Sequence, residues 1–513
     1  MMQRCRPSSA VVARSRPADV ASPTIDGASR VRSPGVSWVR AGRTRPAVLI
    51  GAASLLLAIV SSVALPPNLV VVALGAVAVV GLSREPRLGV LPAAFLALIA
   101  VPYGRAAENG LAEVFGIPLR FQDGVVAAAF VLAIPAIRQA SFRTWISRLI
   151  AAFLVVGAIA AVIGVASDQA ARDLFRDARW WALYGFGLLA LWGAIDRRAV
   201  VRGLLLGATT FAIVLFSIVL LPTFPGGLEA RALTYDWGSL RLQFSNSIFL
   251  VPALAYVATR LAVRPTRRDA LWLLILATAI VLSVTRMSIV AGLGTVGLAF
   301  LWAVWRHRRA MTPSQVVRHG ALIAAILVAS LGGTLGLVIA GSAVQVPSVD
   351  TSTREPTDSQ EILDRIMFQD PNSSVGAVER GRFSTYRAAL KVIGAAPVTG
   401  SGLGTLVPID FTFGGSQPST PGMQPGVDDA YLTVAMKAGL IGAAVFAAMM
   451  CWPLTAIVRR RRDRLAWWLL PGWIGVLGLT LTQSFATTGY GPFGLALLLV
   501  CMDLRPARAP HDA

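Results

Sequence analysis

Leu149-Ile-Ala-Ala-Phe-Leu-Val-Val-Gly-Ala-Ile-Ala-Ala-Val-Ile-Gly-Val-Ala166 is an uninterrupted apolar run set between Arg148 and Asp168. A bilayer core is crossed by ~20 residues of helix. A membrane β-barrel would show segments of roughly ten alternating residues instead. This stretch therefore predicts a transmembrane helix. Similar runs begin near residues 47, 68, 88, 124, 180, 203, 247, 270, 288, 320, 431, 466 and 493, giving about fourteen candidate spans. Those at 68–82, 124–137 and 493–502 are short, so they are either re-entrant or extended by flanking polar residues.

Composition agrees with this reading. Of 513 residues 55% are hydrophobic and only 14% charged, with a mean hydropathy of +0.66. Soluble domains carry about 25% charged residues, so a soluble enzyme and a disordered chain are both excluded. The predicted fold is an all-α polytopic membrane protein, with a transmembrane domain over residues 47–503. Residues 1–46, with nine Arg and two Asp, are expected to form a disordered basic tail. Residues 504–513 form a second tail. The first tail is too long before its apolar run for a secretory signal, and Pro66-Pro67 is read as ending the first span.

The net charge of +21 becomes informative once it is divided between the two sides. Lys and Arg collect on cytoplasmic loops. With the N-terminus inside, the inner segments are 1–46, 83–87, 138–148, 196–202, 260–269, 306–319, 459–464 and 503–513. They sum to +24, and the rest of the chain to −3. The prediction is N-in and C-in. The excess is a topology signal that also suits an anionic-lipid contact, and it implies no nucleic acid. Cys5, Cys451 and Cys501 all fall outside the segments placed on the outer face, so no disulfide is expected.

One outer loop is large, Ser342 to Ala430, and precedes the last three spans. Its part 345–375 reads as irregular. Phe383, Tyr386, Leu390 and Ile393 recur at helical spacing, predicting a short amphipathic helix over 376–394 lying on the membrane. Residues 395–427, rich in Gly and Pro, read as a loop.

Charges near the outer ends of spans are costly unless they face a cavity or a partner. Arg241 lies in Ser239-Leu-Arg-Leu-Gln-Phe-Ser-Asn246, Arg286 in Leu282-Ser-Val-Thr-Arg-Met-Ser288, and Arg382 in Glu379-Arg-Gly-Arg-Phe-Ser-Thr-Tyr386. Each fits an interfacial arginine that snorkels. Together they also suit a phosphate or diphosphate, which arginine grips bidentately. Gly400, Gly402 and Gly404 imitate part of a dinucleotide fingerprint. With no βαβ unit around them, they read better as a turn that lets backbone approach something closely. Asp428 and Asp429 stand at the mouth of a span. They suit a helix N-cap and equally a general base, since adjacent like charges raise a carboxyl pKa. His307, His319 and His511 all fall on the inner side. No D-x-D spacing occurs, so no catalytic metal or other cofactor is implied.

The order of these motifs resembles the O-antigen ligase / O-antigen polymerase-like superfamily of bacterial membrane glycosyltransferases. The resemblance rests on Arg241 with Phe244 and Asn246, Thr285-Arg286, and Arg382 with Tyr386. It continues through Pro397, Gly400, Gly402 and Gly404, then Asp428-Asp429-Ala430-Tyr431-Leu432 and Gly439-Leu-Ile-Gly442. It implies an inverting, metal-independent transfer of a glycan from an undecaprenyl-diphosphate carrier to a sugar or lipid acceptor, at the outer face of the plasma membrane. By that resemblance Arg241, Arg286 and Arg382 hold the diphosphate. Gly400, Gly402, Gly404 and Tyr431 belong to the substrate loop, and Asp428 with Asp429 takes the place of the family's His-Asn. The histidine-to-aspartate departure favours a polymerase, or a ligase for another surface polymer. Two other classes fit a many-span chain. A transporter should show mid-membrane charges and paired helix breaks; a non-catalytic relative would tolerate loss of Arg286 and Asp428.

Overall fold

The computed structural model describes residues 89–100, 112–114, 117–119, 121–220, 245–283, 286–343, 374–409, 422–459 and 463–503. The tail at 1–46, the spans near 47 and 68, Arg241 and the C-terminal tail lie outside them.

Helices dominate. In chain order they are α1 (Val90–Ala100), α2 (Phe121–Ala133), α3 (Trp145–Ala166), α4 (Ala171–Leu183), α5 (Phe186–Trp192), α6 (Arg197–Leu220) and α7 (Leu250–Val263). Then come α8 (Arg267–Leu282), α9 (Arg286–His307), α10 (Pro313–Ala343), α11 (Ser374–Ala395), α12 (Ala430–Arg459), α13 (Arg464–Thr480) and α14 (Gly491–Asp503). Two small antiparallel hairpins accompany them. Strand β1 (Ala112–Val114) pairs with β2 (Ile117–Leu119), and β3 (Val407–Ile409) with β4 (Gly422–Gln424). The second hairpin lies in the stretch read from sequence as loop.

Among the described residues five helices are long and apolar enough to cross a membrane: Trp145–Ala166, Arg197–Phe216, Met287–His307, Pro313–Thr334 and Ala430–Thr455. With the shorter apolar helices, this is the composition of a multi-pass membrane protein. The run near 180 is two helices, α4 and α5, separated by a turn at Tyr184-Gly185.

Helix α3 shows what such helices do with a surface that is apolar all round. Thr144 caps it, its Oγ1 accepting from Ser147 N at 3.2 Å. Ile150, Phe153, Gly157, Ala160 and Gly164 face the protein, while Val155, Ile159, Val162 and Val165 remain exposed. Among the described residues those four stay uncovered, and they suit lipid. The inward face is stapled to α4, where Phe153 and Trp181 stack at 4.4 Å and Trp181 Nε1 donates to Phe153 O at 2.7 Å. By contrast, α14 is buried along its whole length. Its thirteen residues span only about 20 Å at 1.5 Å per residue. Protein surrounds this short apolar run.

The arginine-bearing connections meet at one end of the bundle. Arg197 donates to Asp463 Oδ2 at 2.6 Å and to Cys501 O at 2.5 Å, while Asp463 caps α13 through Leu465 N and Ala466 N. Arg260 pairs with Asp269 at 3.3 Å, His319 Nδ1 lies 2.7 Å from Ala262 O, and Arg306 lies over the Trp467 ring. Trp452 joins this end to Asp503 at 3.1 Å and to the Trp145 ring. The opposite end gathers the starts of α2, α4, α9 and α12 and the segment following α13.

Helix α11 exists as the periodicity predicts, slightly longer than 376–394. Tyr386, Ala389 and Ile393 pack on Val427, Ala435 and Met436, together with Val407. The apolar face is therefore spent on α12 and its approach, and Leu390 is exposed.

Candidate functional site at the starts of helices nine and twelve

The chain turns into α12 at Val427-Asp-Asp-Ala-Tyr431. Asp429 caps the helix: its Oδ1 accepts from Leu432 N at 2.9 Å, as the side-chain preference at such positions requires. Thr433 locks the turn. Its hydroxyl donates to Val427 O and Asp429 O, both at 3.0 Å, and accepts from Val427 N at 3.1 Å. Burial raises the Asp429 carboxyl above the usual range, opposed by the amide N–H groups of Leu432 and Tyr431. The cause is desolvation rather than the neighbouring carboxylate that the sequence brought to mind. Asp428 is half-buried beside it.

Tyr431, on the first turn, sets its ring against Phe446 at 5.2 Å, and its hydroxyl accepts from Thr480 Oγ1 at 3.4 Å. Three residues along, Gln483 Nε2 donates to Ser288 Oγ at 3.2 Å. Three residues of chain reach at most about 10 Å. The end of α13 and the segment after it therefore touch the first turns of both α12 and α9. Arg286 is the first residue of α9. Its backbone is thereby placed at a helix N-terminus, where partial positive charge accumulates; its side chain lies outside the described part. The same holds for Arg382, which lies in α11 one turn before Tyr386.

Gly400, Gly402 and Gly404 are buried and sit elsewhere in the architecture. All three have positive φ, +73°, +89° and +89°, which a side chain would resist. They grip a break in α12 at Gly439, where φ is +67° and ψ −174°. A helix interrupted there loses bonds that the loop replaces. Ser401 N donates to Met436 O at 2.9 Å and Gly402 N to Lys437 O at 3.0 Å, while Leu440 N turns to Pro397 O at 2.8 Å. On its other side the loop lies on α3, with Leu403 N donating to Ala160 O at 2.9 Å. A Cβ on Gly400 would collide with the backbone of Lys437 to Gly439, and one on Gly402 with that of Gly164. What the glycines approach closely is the protein's own backbone.

The same junction contains a pair that the sequence reading did not single out. Lys437 is fully buried. It forms an ion pair with Asp177 of α4, whose Oδ2 also accepts from Gly404 N at 2.8 Å, and its Nζ donates to Thr405 O at 3.2 Å. Lys437 is the one charge between Asp429 and Arg459 in the sequence. A lone ionisable residue in a span demands a partner, which was the available signal. Nearby, Arg179 of α4 pairs with Asp123 at 3.3 Å, and Tyr490 donates to the same carboxylate at 2.8 Å. Among the described residues no three His, Cys, Asp or Glu side chains gather as metal ligands.

Residues 271–447 match the family model described as O-antigen ligase. No curated protein matches the chain. The matched residues run from α8 to the middle of α12. They take in Arg286, Arg382, the three loop glycines, the Asp428–Tyr431 corner and the Gly439 break. Arg241 and Asp177 lie outside them. The resemblance to the O-antigen ligase superfamily is therefore carried by this region, about a third of the chain.

Proposed function

We propose that the chain is a membrane glycosyltransferase of polysaccharide assembly, transferring a glycan from an undecaprenyl-diphosphate carrier to a sugar or lipid acceptor. The observation that carries the reading is the O-antigen ligase match over a region that includes both Arg286 and Asp428; the helix starts that follow them both touch residues 480–483, through Gln483–Ser288 and Tyr431–Thr480. The basic end of the bundle faces the cytoplasm by the charge rule. The reaction then occurs on the outer face of the plasma membrane.

In this reading the acceptor hydroxyl oxygen attacks the anomeric carbon of the donor. The carbon–oxygen bond to the diphosphate breaks on the opposite side, with inversion. The hydroxyl proton passes to Asp428, while Asp429, tied to Leu432 through its cap, holds the corner and shares the burden of charge. Arg286 at the N-terminus of α9, with Arg241 and Arg382, neutralises the departing diphosphate; fixed positive groups aimed at developing negative charge are usually the largest catalytic contribution. The chemistry assigned to these residues requires neither a metal nor a cofactor.

The test is expression of wild type, Arg286→Ala and Asp428→Asn in cells lacking the chromosomal copy. Surface polysaccharide and lipid-linked glycan are analysed beside protein level. Loss of polymer with accumulation of lipid-linked glycan in both variants is expected. Single repeats in place of long chains identify a polymerase, and loss of all attached polymer a ligase. Wild-type polymer from both variants would remove this site from consideration.

A further inference from the structure

The break at Gly439 divides α12 into two rods. The shorter, Ala430 to Ala438, carries the Asp428–Asp429–Tyr431 corner at its N-terminal end. Its C-terminal end has no continuous helix to hold it, because Gly439 leaves the helical conformation. Two attachments take over. One is the backbone ladder from Ser401 and Gly402 to Met436 and Lys437. The other is Lys437, whose ammonium meets Asp177 on α4, while the same carboxylate oxygen accepts from Gly404 N. One buried carboxylate thus ties α4, the glycine loop and the short rod together.

We infer that Lys437 and Asp177 are positioning residues: their ion pair fixes the angle of the 430–438 rod and thereby places Asp428 and Asp429 for proton transfer. The inference rests on the proposed transferase reading for its catalytic readout, but not for its structural one.

Three observations favour positioning over generic stability. A buried ion pair is a poor way to gain stability, since apolar residues of similar volume serve as well or better; what a charged pair adds is direction. The pair sits at the one place along the rod where the backbone has lost its own means of holding direction. Finally, Lys437 lies two helical turns from Asp429 on a rod only nine residues long, so a tilt at one end becomes a displacement at the other. Arg176 and Asp173 of α4 belong to the same electrostatic neighbourhood. Arg176 bonds Asp173 at 2.8 Å and lies 3.8 Å from Asp177. Lys437 remains the one cation of this group carried by the rod.

The test uses the full-length protein in detergent or proteoliposomes. In Asp177→Asn/Lys437→Met the pair is replaced by a neutral one, while the Asn oxygen still accepts from Gly404. Turnover of lipid-linked glycan is expected to fall at least tenfold with donor KM changed less than twofold, because the arginines that hold the donor are untouched. Amide exchange should quicken over residues 428–438 and 400–404 and stay as in wild type over α7. Unchanged kcat with unchanged exchange overturns the inference, as does a loss confined to protein level with full activity per folded molecule. If no preparation turns over lipid-linked glycan, the transferase reading fails, and the exchange pattern still decides whether the pair holds the rod. Should the double variant not accumulate, wild-type exchange decides instead. Residues 400–404 and 430–438 must then open as one unit, and independent opening overturns the inference.

Discussion

Ser401 donates its backbone N–H to the carbonyl of Met436 at 2.9 Å, in the place that Leu440 would occupy in a continuous helix. A membrane-spanning helix keeps irregular backbone only where other groups satisfy it. Here the glycine loop does so, giving its N–H groups to the interrupted carbonyls and a carbonyl, that of Pro397, to the displaced N–H.

The loop glycines should therefore behave as packing residues. Gly402→Ala forces a side chain into positive φ and against the Gly164 backbone. Strain of about 1–2 kcal/mol adds to overpacking of about 1–3 kcal/mol. We expect a lower thermal midpoint and reduced accumulation in the membrane. Gly394→Ala, where a Cβ meets nothing within 4 Å, should leave the midpoint unchanged or raise it slightly. Equal behaviour of the two variants would contradict this packing role.

At the arginine-rich end, Arg197 and Asp463 form a pair with side chains 9% and 6% exposed. Asp463→Ala removes the α13 cap and strands a buried guanidinium. Breaking a buried pair costs about 3–5 kcal/mol. The measurable outcome is a large fall in the thermal midpoint, whereas Arg198→Ala, at an exposed position, should change it little.

Arg286→Ala should reduce turnover about 10²–10³-fold, the usual consequence of losing one group that stabilises a leaving oxyanion, at unchanged protein level. Single-turnover transfer from purified lipid-linked glycan measures this directly. A change in KM alone would assign Arg286 to uniform binding.

The Asp429 carboxyl titrates above its ordinary value because burial disfavours the anion. A carboxyl with a raised folded pKa binds its proton more tightly in the native state. Its stabilising contribution is full below the unfolded value of about 3.9 and is lost as pH rises through the folded value. Asn caps equally well and carries no charge. The thermal midpoint of Asp429→Asn should therefore exceed that of wild type at neutral pH, and the two should converge as pH falls below the carboxylate range. A difference independent of pH would count against this account.

Much of the helix inventory was legible in the sequence. The apolar runs from residue 88 onward coincide with helices, and Tyr386 and Ile393 mark a helix whose apolar face is buried, because periodicity is a local property. The divided run near 180 was not legible, since Trp180, Trp181 and Leu183 at the end of α4 and Phe186 to Ala190 in α5 are apolar and buried on both sides of the turn, so hydropathy does not change across it. Nor was the hairpin of β3 and β4, whose pairing joins segments more than ten residues apart.

The amino-acid sequence alone determined that this is a many-helix chain with the composition of a membrane protein, its arginines clustered between apolar runs and its motif order similar to O-antigen ligases. Apolar run length, charge placement and residue order are all written along the chain. Only the tertiary structure decided what the glycines approach, what Lys437 pairs with and which helix starts residues 480–483 touch. Asp177 meets Gly404 across 227 positions and Lys437 across 260, and no local pattern encodes partners so far apart. They are brought together by packing α3, α4 and α12 side by side, and once buried there each charge must find the other.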